Sequence, residues 1–340
     1  MSEIAIIGAG AWGTALSIVL GRAGTHMIRL WTYEREVSES IAQRRINEKF
    51  LPGQQIPPSV RPSTDLAEAI TGAEIVVSVM PSQHCRRLFE QMRPHLRPET
   101  MLVSATKGLE ENSLLRMTEV IAQVIQNDEP RTIKIGALSG PSFALEAARG
   151  DPSAITIASH DAELAGRVQQ EFSTASFRVY TNADPIGVEL GGALKNTVAI
   201  AAGVCAGLGL GHNSVAALIT RGLAEMTRLV VACGGRAETM AGLAGLGDLV
   251  LTCTGGLSRN RSVGFELGRG KRLPDILAAM HGTVAEGVFT TTAAVGLARA
   301  RGVEMPITEQ IHAILHDGKS PRDAMYELMT RSGKSETVRR

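Results

Sequence analysis

Little in this 340-residue sequence points to export, to a metal or to nucleic acid, and each shortage removes a class of function. Cysteine is scarce: Cys85, Cys205, Cys233 and Cys253 are widely scattered and form neither a CxxC pair nor a compact framework. That argues against a disulfide scaffold and a zinc site, and leaves reduced thiols in a cytoplasmic protein as the expectation. Histidine offers no better ligand set. Apart from His312 and His316, which have helical i, i+4 spacing but no third ligand nearby, no HxxxH or HExxH pattern occurs, so no metal is expected. An excess of charge is also missing, since 35 basic residues stand against 34 acidic ones for a net charge of +1. Overall charge therefore gives no nucleic-acid signal, and any anion specificity must be local. Met1-Ser2-Glu3 is not the basic start of a signal peptide. The uncharged, glycine-rich run 197–211 falls short of the roughly 18 residues that suggest a membrane span, and is expected to be a buried helix.

What is present is ordinary for a globular protein, 44% hydrophobic and 20% charged, and long enough for two cores, because single cores rarely grow past about 250–300 residues. Short apolar runs rich in β-branched residues recur at 4–7, 27–31, 75–79, 101–103, 133–138, 155–158 and 177–180, separated by helix-length segments. Alternation of this kind implies βαβ units, hence an α/β domain with a doubly wound, largely parallel sheet covered by helices on both faces. Ligands of such sheets lie beyond the carboxyl ends of the strands. The first run leads straight into Gly8-Ala9-Gly10-Ala11-Trp12-Gly13 and then a helical pattern. In that context Gly8 permits a tight turn, Gly10 lets the backbone approach a pyrophosphate, and Gly13 lets the helix pack on the strand. The first turn of the helix then faces the anion.

Residues 47–62 hold four prolines and little periodicity, which reads as a long loop over the sheet edge or the cofactor. From Asp184 the composition changes: strand runs stop, and Ala, Gly and Leu recur at helical spacing through 186–208, 214–233, 261–267, 274–280, 290–300 and 308–315. The expected organisation is a dinucleotide-binding domain over 1–184, an all-helical domain over 185–330 and a polar, frayed tail over 331–340.

Four places carry candidate chemistry. Lys107 follows the 101–103 strand and projects where a ligand would lie, or is a solvated loop lysine. Lys195-Asn196 sits inside a long apolar helix, where a charge must be paired, desolvated at a cost or facing a cleft. Asp248 is one carboxylate in an apolar stretch, either an N-cap or the partner of a lysine. Ser258-Arg259-Asn260 offers hydroxyl, guanidinium and amide donors at a helix start, which suits a phosphate; an ordinary cap with exposed arginines is the plain alternative.

The segments GAGAWGTAL, ATKGL, SGPSFA, GVELGGALKN, LITRGLAEM, AGLGDLVLTC and SRNR occur in this order over nearly the whole length, and with them the sequence closely resembles the bacterial NAD(P)-dependent sn-glycerol-3-phosphate dehydrogenases. The resemblance implies a Rossmann-type domain followed by a helical domain of the 6-phosphogluconate-dehydrogenase kind. It implies NAD or NADP as cofactor, dihydroxyacetone phosphate and sn-glycerol 3-phosphate as substrates, a role in phospholipid synthesis and a homodimer. Lys195 matches the family's catalytic proton donor and acceptor, and Thr252 looks like a secondary active-site residue. Lys107, Gly140, Ser142, Asp248, Ser258, Arg259 and Asn260 match substrate-contacting positions, with Asn196 beside Lys195. Lys107 and Arg259 are also expected near the cofactor, as are Ala11, Trp12, Ala144, Val284 and Glu286. Where relatives often carry Arg or His, this chain has Tyr33, within Thr32-Tyr33-Glu34-Arg35. Glu34 would accept from a ribose 2′-hydroxyl and repel a phosphate, whereas Arg35 would attract one, so the cofactor preference stays open. Two rival readings also stay open: a related hydroxyacid dehydrogenase, and a module that senses dinucleotides without catalysis.

Overall fold

The computed structural model describes residues 2–22, 24–126, 134–280, 285–333 and 335–336. Val284, Lys334 and residues 337–340 lie outside the described residues. The strands are β1 (Ser2–Ile7), β2 (His26–Trp31), β3 (Ile46–Asn47), β4 (Leu51–Gln55), β5 (Val60–Ser63), β6 (Ile75–Ser78), β7 (Met101–Ser104), β8 (Ile135–Ser139), β9 (Ser153–Ala158) and β10 (Phe177–Asn182). Between them run helices α1 (Ala11–Arg22), α2 (Arg35–Arg44), α3 (Leu66–Ile70), α4 (Cys85–Met92), α5 (Met117–Gln126), α6 (Ala144–Arg149) and α7 (Ala162–Phe172). Eight strands form one sheet in the order β10-β9-β8-β7-β6-β1-β2-β5, parallel except for the β8–β9 pair.

Alternation along β1 covers both faces. Ile4 and Ile6 join one apolar cluster with α1, α6 and α7, while Ala5 and Ile7 join another with α3, α4 and α5. The chain runs from β1 outward through β2 to β5, then returns to place β6 on the other side of β1. Strand order thus reverses between β1 and β6, which is where a doubly wound sheet opens its ligand crevice.

The expected loop over 47–62 is not all loop. It holds the rest of the β3–β4 hairpin and most of β5, the sheet's edge strand. Its prolines hid it: Pro62 cannot donate to a ladder but is tolerated at an edge. Another element missed in the sequence is the last helix, named below.

The remainder is helical: α8 (Pro185–Gly207), α9 (His212–Ala232), α10 (Ala237–Met240), α11 (Asp248–Thr254), α12 (Arg259–Gly268), α13 (Leu273–Ala278), α14 (Glu286–Ala300), α15 (Pro306–His316) and α16 (Pro321–Thr330), the last unanticipated. Helix α8 is the axis of this part. Asp184 caps it, accepting from the Gly187 N–H at 2.9 Å. By length and composition α8 could cross a membrane, but 83% of its apolar window is buried inside the fold, as expected of a core helix. Glu189 fastens it to the sheet-bearing half. That carboxylate accepts from the Thr118 N–H at 2.9 Å and from Arg116 at 2.6 Å.

Helices α8 and α12 touch backbone to backbone. A Cβ on Gly203 would lie 2.0 Å from the Arg261 carbonyl, and one on Gly264 would lie 1.9 Å from that of Ile200. We therefore expect Gly203→Ala to cost about 1–3 kcal/mol through overpacking that no rotamer relieves. Gly166→Ala, in the exposed middle of α7 with nothing within 4 Å, should be neutral or stabilising by about 0.5–1 kcal/mol. Urea unfolding of the two variants checks the contrast.

Candidate functional site

The glycine loop after β1 has the geometry a pyrophosphate requires. Gly8 sits at φ +122° with its Cα against the Val79 backbone, so a Cβ there would lie 3.0 Å from it and the backbone would be strained. A Cβ on Gly10 would meet nothing within 4 Å, leaving open space in front of the turn. One on Gly13 would lie 1.9 Å from the Gly8 carbonyl, so only glycine lets α1 start this close to β1. Helix α1 begins at Ala11-Trp12 with its first amides facing that space. These residues fit a dinucleotide.

Three of the four candidate stretches converge on one carboxylate, and the fourth joins them through Asn260 and Asn196. Asp248, 1% exposed, receives Lys195 Nζ on Oδ1 and Lys107 Nζ on Oδ2, each at 2.7 Å. It is not the N-cap it resembled: it is the first residue of α11, continuing from a π-helical turn at Leu243–Gly247, and its side chain makes no capping bond. Such turns concentrate at functional sites because they re-aim the residues that follow.

Lys107 comes from the loop after β7, and its ammonium also donates to the Gly140 carbonyl at 2.9 Å and to Ser142 Oγ at 3.3 Å. Its three protons are thereby committed. Lys195, buried on α8, donates to Asp248 and to Thr252 Oγ1 at 2.6 Å, while the Thr252 hydroxyl donates to the Asp248 carbonyl. One of its protons has no partner among the described residues. Burial brings the Lys195 ammonium down to about 8; the like charge of Lys107 adds to this and Asp248 opposes it. Burial alone would raise the Asp248 carboxyl, but the two ammonium groups outweigh it and hold the group below its ordinary value.

A second chain of bonds runs behind the lysines. Asn196 donates to the Lys107 carbonyl at 3.3 Å, Asn260 donates to Asn196 Oδ1 at 2.9 Å, and Asn260 Oδ1 accepts from the Gly287 N–H at 3.0 Å. Beside Gly287, Glu286 accepts from the Ser82 N–H and hydroxyl at 3.2 and 2.8 Å. Burial raises the Glu286 carboxyl, although Ser82 and the field of Arg259 pull the other way. Ser258 caps α12 by accepting from the Arg261 N–H at 3.2 Å. Arg259 beside it is exposed, with no hydrogen bond among the described residues.

Tyr33 (79% exposed) and Glu34 stand apart from this cluster, past the end of β2. Ala144 opens α6 and packs on the first apolar cluster. Ser82 falls just after β6, where a ligand of such a sheet is expected, but has no role on sequence grounds; Gly192 was missed, and a Cβ there would lie 2.4 Å from Ser139 Oγ and 3.6 Å from Lys107 Cγ. The signal was there for the glycine: two consecutive glycines inside a helix, each costing about 1 kcal/mol against Ala, imply a close approach.

Comparison with known proteins agrees along the whole chain. Residues 3–165 match the family model described as NAD-dependent glycerol-3-phosphate dehydrogenase N-terminus, and residues 184–326 match its C-terminus. A glycerol-3-phosphate dehydrogenase [NAD(P)+] of Koribacter versatilis is 66% identical over 99% of both chains. One from Geobacter sulfurreducens is 52% identical over 99% of both. The crystal structure of glycerol-3-phosphate dehydrogenase from Coxiella burnetii superimposes with a TM-score of 0.92 at 40% identity, covering 97% of this chain and 99% of that one.

Asp248 is the counter-ion of two ammonium groups, so Asp248→Asn should cost about 3–5 kcal/mol at neutral pH by leaving them unpaired in the interior. Urea unfolding reads this directly, and a loss below about 1 kcal/mol would mean that the lysines do not depend on it.

Proposed function

The chain belongs to the NAD-dependent glycerol-3-phosphate dehydrogenase family and is an NAD(P)-dependent oxidoreductase, and from that premise we propose that Lys195 moves the proton of the reaction. The substrates are dihydroxyacetone phosphate and sn-glycerol 3-phosphate. A reduced nicotinamide, when bound, supplies hydride to C2 of the ketone. The observation that carries the assignment is the division of labour between the lysines: Lys107 has every proton engaged, whereas Lys195 keeps one for a substrate oxygen. Lys195 Nζ gives that proton to the developing alkoxide, and in the reverse direction neutral Lys195 takes it from the hydroxyl. Asp248 and Thr252 orient Lys195, while Lys107, Gly140, Ser142 and Asn196 shape the substrate side.

Arg259, at the start of α12 with Ser258 and Asn260, holds the phosphate; its guanidinium has no hydrogen bond among the described residues, and a guanidinium binds an anion bidentately. The glycine loop, Ala11, Trp12, Ala144, Val284 and Glu286 hold the dinucleotide, with Tyr33 and Glu34 at its adenosine end. We assign the dinucleotide to the domain 1–184 and the substrate chiefly to 185–330. The product feeds phospholipid synthesis. Four free thiols suit the cytoplasm. The long helix α9, of which only Gly222, Glu225, Met226, Leu229 and Val230 are buried, suits a homodimer contact.

Near-ultraviolet absorbance of the reduced nicotinamide tests the reaction with dihydroxyacetone phosphate and NADH or NADPH. Lys195→Ala should lower kcat by about 10³-fold or more while NADH still binds, since loss of a general acid–base typically costs 10²–10⁴-fold. Near-normal turnover by the folded variant would overturn the assignment. Oxidation of glycerol 3-phosphate needs neutral Lys195, so its kcat/KM should rise through a pKa of about 8. Reduction needs the ammonium and should fall over the same range. Arg259→Ala should lower kcat/KM for dihydroxyacetone phosphate by about 10–100-fold, the loss of a charge-assisted bidentate contact; unchanged constants would remove Arg259 from the phosphate site.

A further inference from the structure

The hairpin that sequence reading left without a role lies against the glycine loop. Asn47, fully buried, donates from Nδ2 to the Ala9 carbonyl and to Thr14 Oγ1, both at 2.8 Å, and its Oδ1 accepts from the Phe50 N–H at 3.1 Å. Its amide is therefore spent on clipping the 48–50 turn to the glycine loop and the first turn of α1. Lys49 is carried on that turn. Its Nζ lies 2.7 Å from Glu36 Oε1 and 3.8 Å from Glu34 Oε1. Glu34 in turn accepts from the Thr32 hydroxyl at 3.2 Å, just past the end of β2. Arg35, the cation that sequence alone sets beside Glu34, is 87% exposed and pairs with Glu39 at 2.8 Å. Around Glu34 there are thus two carboxylates and one ammonium, and the ammonium belongs to Lys49.

We propose that Lys49 determines whether this enzyme accepts NADP: Glu34 favours a ribose 2′-hydroxyl, and a 2′-phosphate binds only by drawing Lys49 away from Glu34 and Glu36. The inference rests on the reading that the glycine loop binds the dinucleotide. In such folds the adenosine ribose lies beyond the second strand, where an acidic residue accepts from the 2′-hydroxyl. A 2′-phosphate brings about two negative charges to the same place, next to Glu34, and needs a cation within reach. Lys49 meets that need because its ammonium sits on a flexible, partly exposed stem, while its backbone is fixed by Asn47. The chain is accordingly expected to prefer NAD and to tolerate NADP.

Binding tests this without turnover. Dissociation constants of NADH and NADPH are measured by nicotinamide fluorescence for the wild type, Lys49→Met and Glu34→Gln, each checked for folding by thermal unfolding. The NADPH-to-NADH ratio of dissociation constants should rise about tenfold in Lys49→Met and fall about tenfold in Glu34→Gln, the size of one charge-assisted contact. Adenosine 2′,5′-bisphosphate against 5′-AMP, measured by calorimetry, should show the same two shifts. A ratio unchanged by Lys49→Met overturns the role of Lys49 while leaving the dinucleotide site intact. Failure of the wild type to bind either cofactor overturns the reading of the glycine loop itself, and this proposal with it.

Discussion

The site turns on a single carboxylate shared by two ammonium groups. Asp248 is buried, and the lysines that reach it come from opposite parts of the chain, Lys107 from the sheet and Lys195 from the helical core. Taking three charges out of water costs several kcal/mol per ion unless geometry and further hydrogen bonds offset it. Here both carboxylate oxygens are used, and the Gly140 carbonyl, Ser142 and Thr252 take up all but one of the remaining ammonium protons. Burial brings Lys195 down to about 8; Asp248 opposes the shift, and the like charge of Lys107 adds to it. Such a lysine suits the proton transfer proposed for it.

Such a cluster needs backbones that come unusually close, and glycine supplies them where the site demands it. Gly191 and Gly192 let α8 approach the Ala244 carbonyl and Ser139, which sets Lys195 within reach of Asp248, the first residue of the adjoining helix α11. Gly203 and Gly264 do the same where α12 crosses, placing Asn260 under Asn196. Each glycine costs helix propensity. The cost is met by α8 being buried almost throughout, so that packing and not propensity decides its conformation.

Much of this was legible in the sequence, for reasons that are local. The strands announced themselves because a sheet buried on both faces needs continuous apolar runs, as Ile4 to Ile7 shows, and the glycine loop because a tight turn, an open face and a close helix start each demand glycine. Lys195 and Asp248 stood out as charges in apolar stretches, since a buried charge must have a partner. Asp248 as the partner of a lysine was one of two readings; that both lysines share it could not be read, because 53 and 141 positions separate them from it. The edge strand β5 was hidden by Pro62, and Lys49 by its distance from Glu34 in the chain. Arg35 adjoins Glu34 in sequence but pairs one turn along α2, as i, i+4 geometry favours.

The hydrogen bonds behind the lysines connect the loop that carries Lys107 to α8, α12 and α14. From the Lys107 carbonyl the path goes through Asn196 and Asn260 to the Gly287 amide, and the adjoining Glu286 holds Ser82, four residues past the end of β6. Both ends of the path reach the carboxyl ends of neighbouring strands, one after β7 and one after β6. A shift of α14 would therefore pull on the loop that carries Lys107 and on the loop beside the glycine turn together. Buried networks of this kind have few alternative arrangements, because a donor or acceptor left unmatched costs about 1–3 kcal/mol. The fold thus fixes the spacing between the loops that follow β6 and β7 and the buried Lys195 through this network.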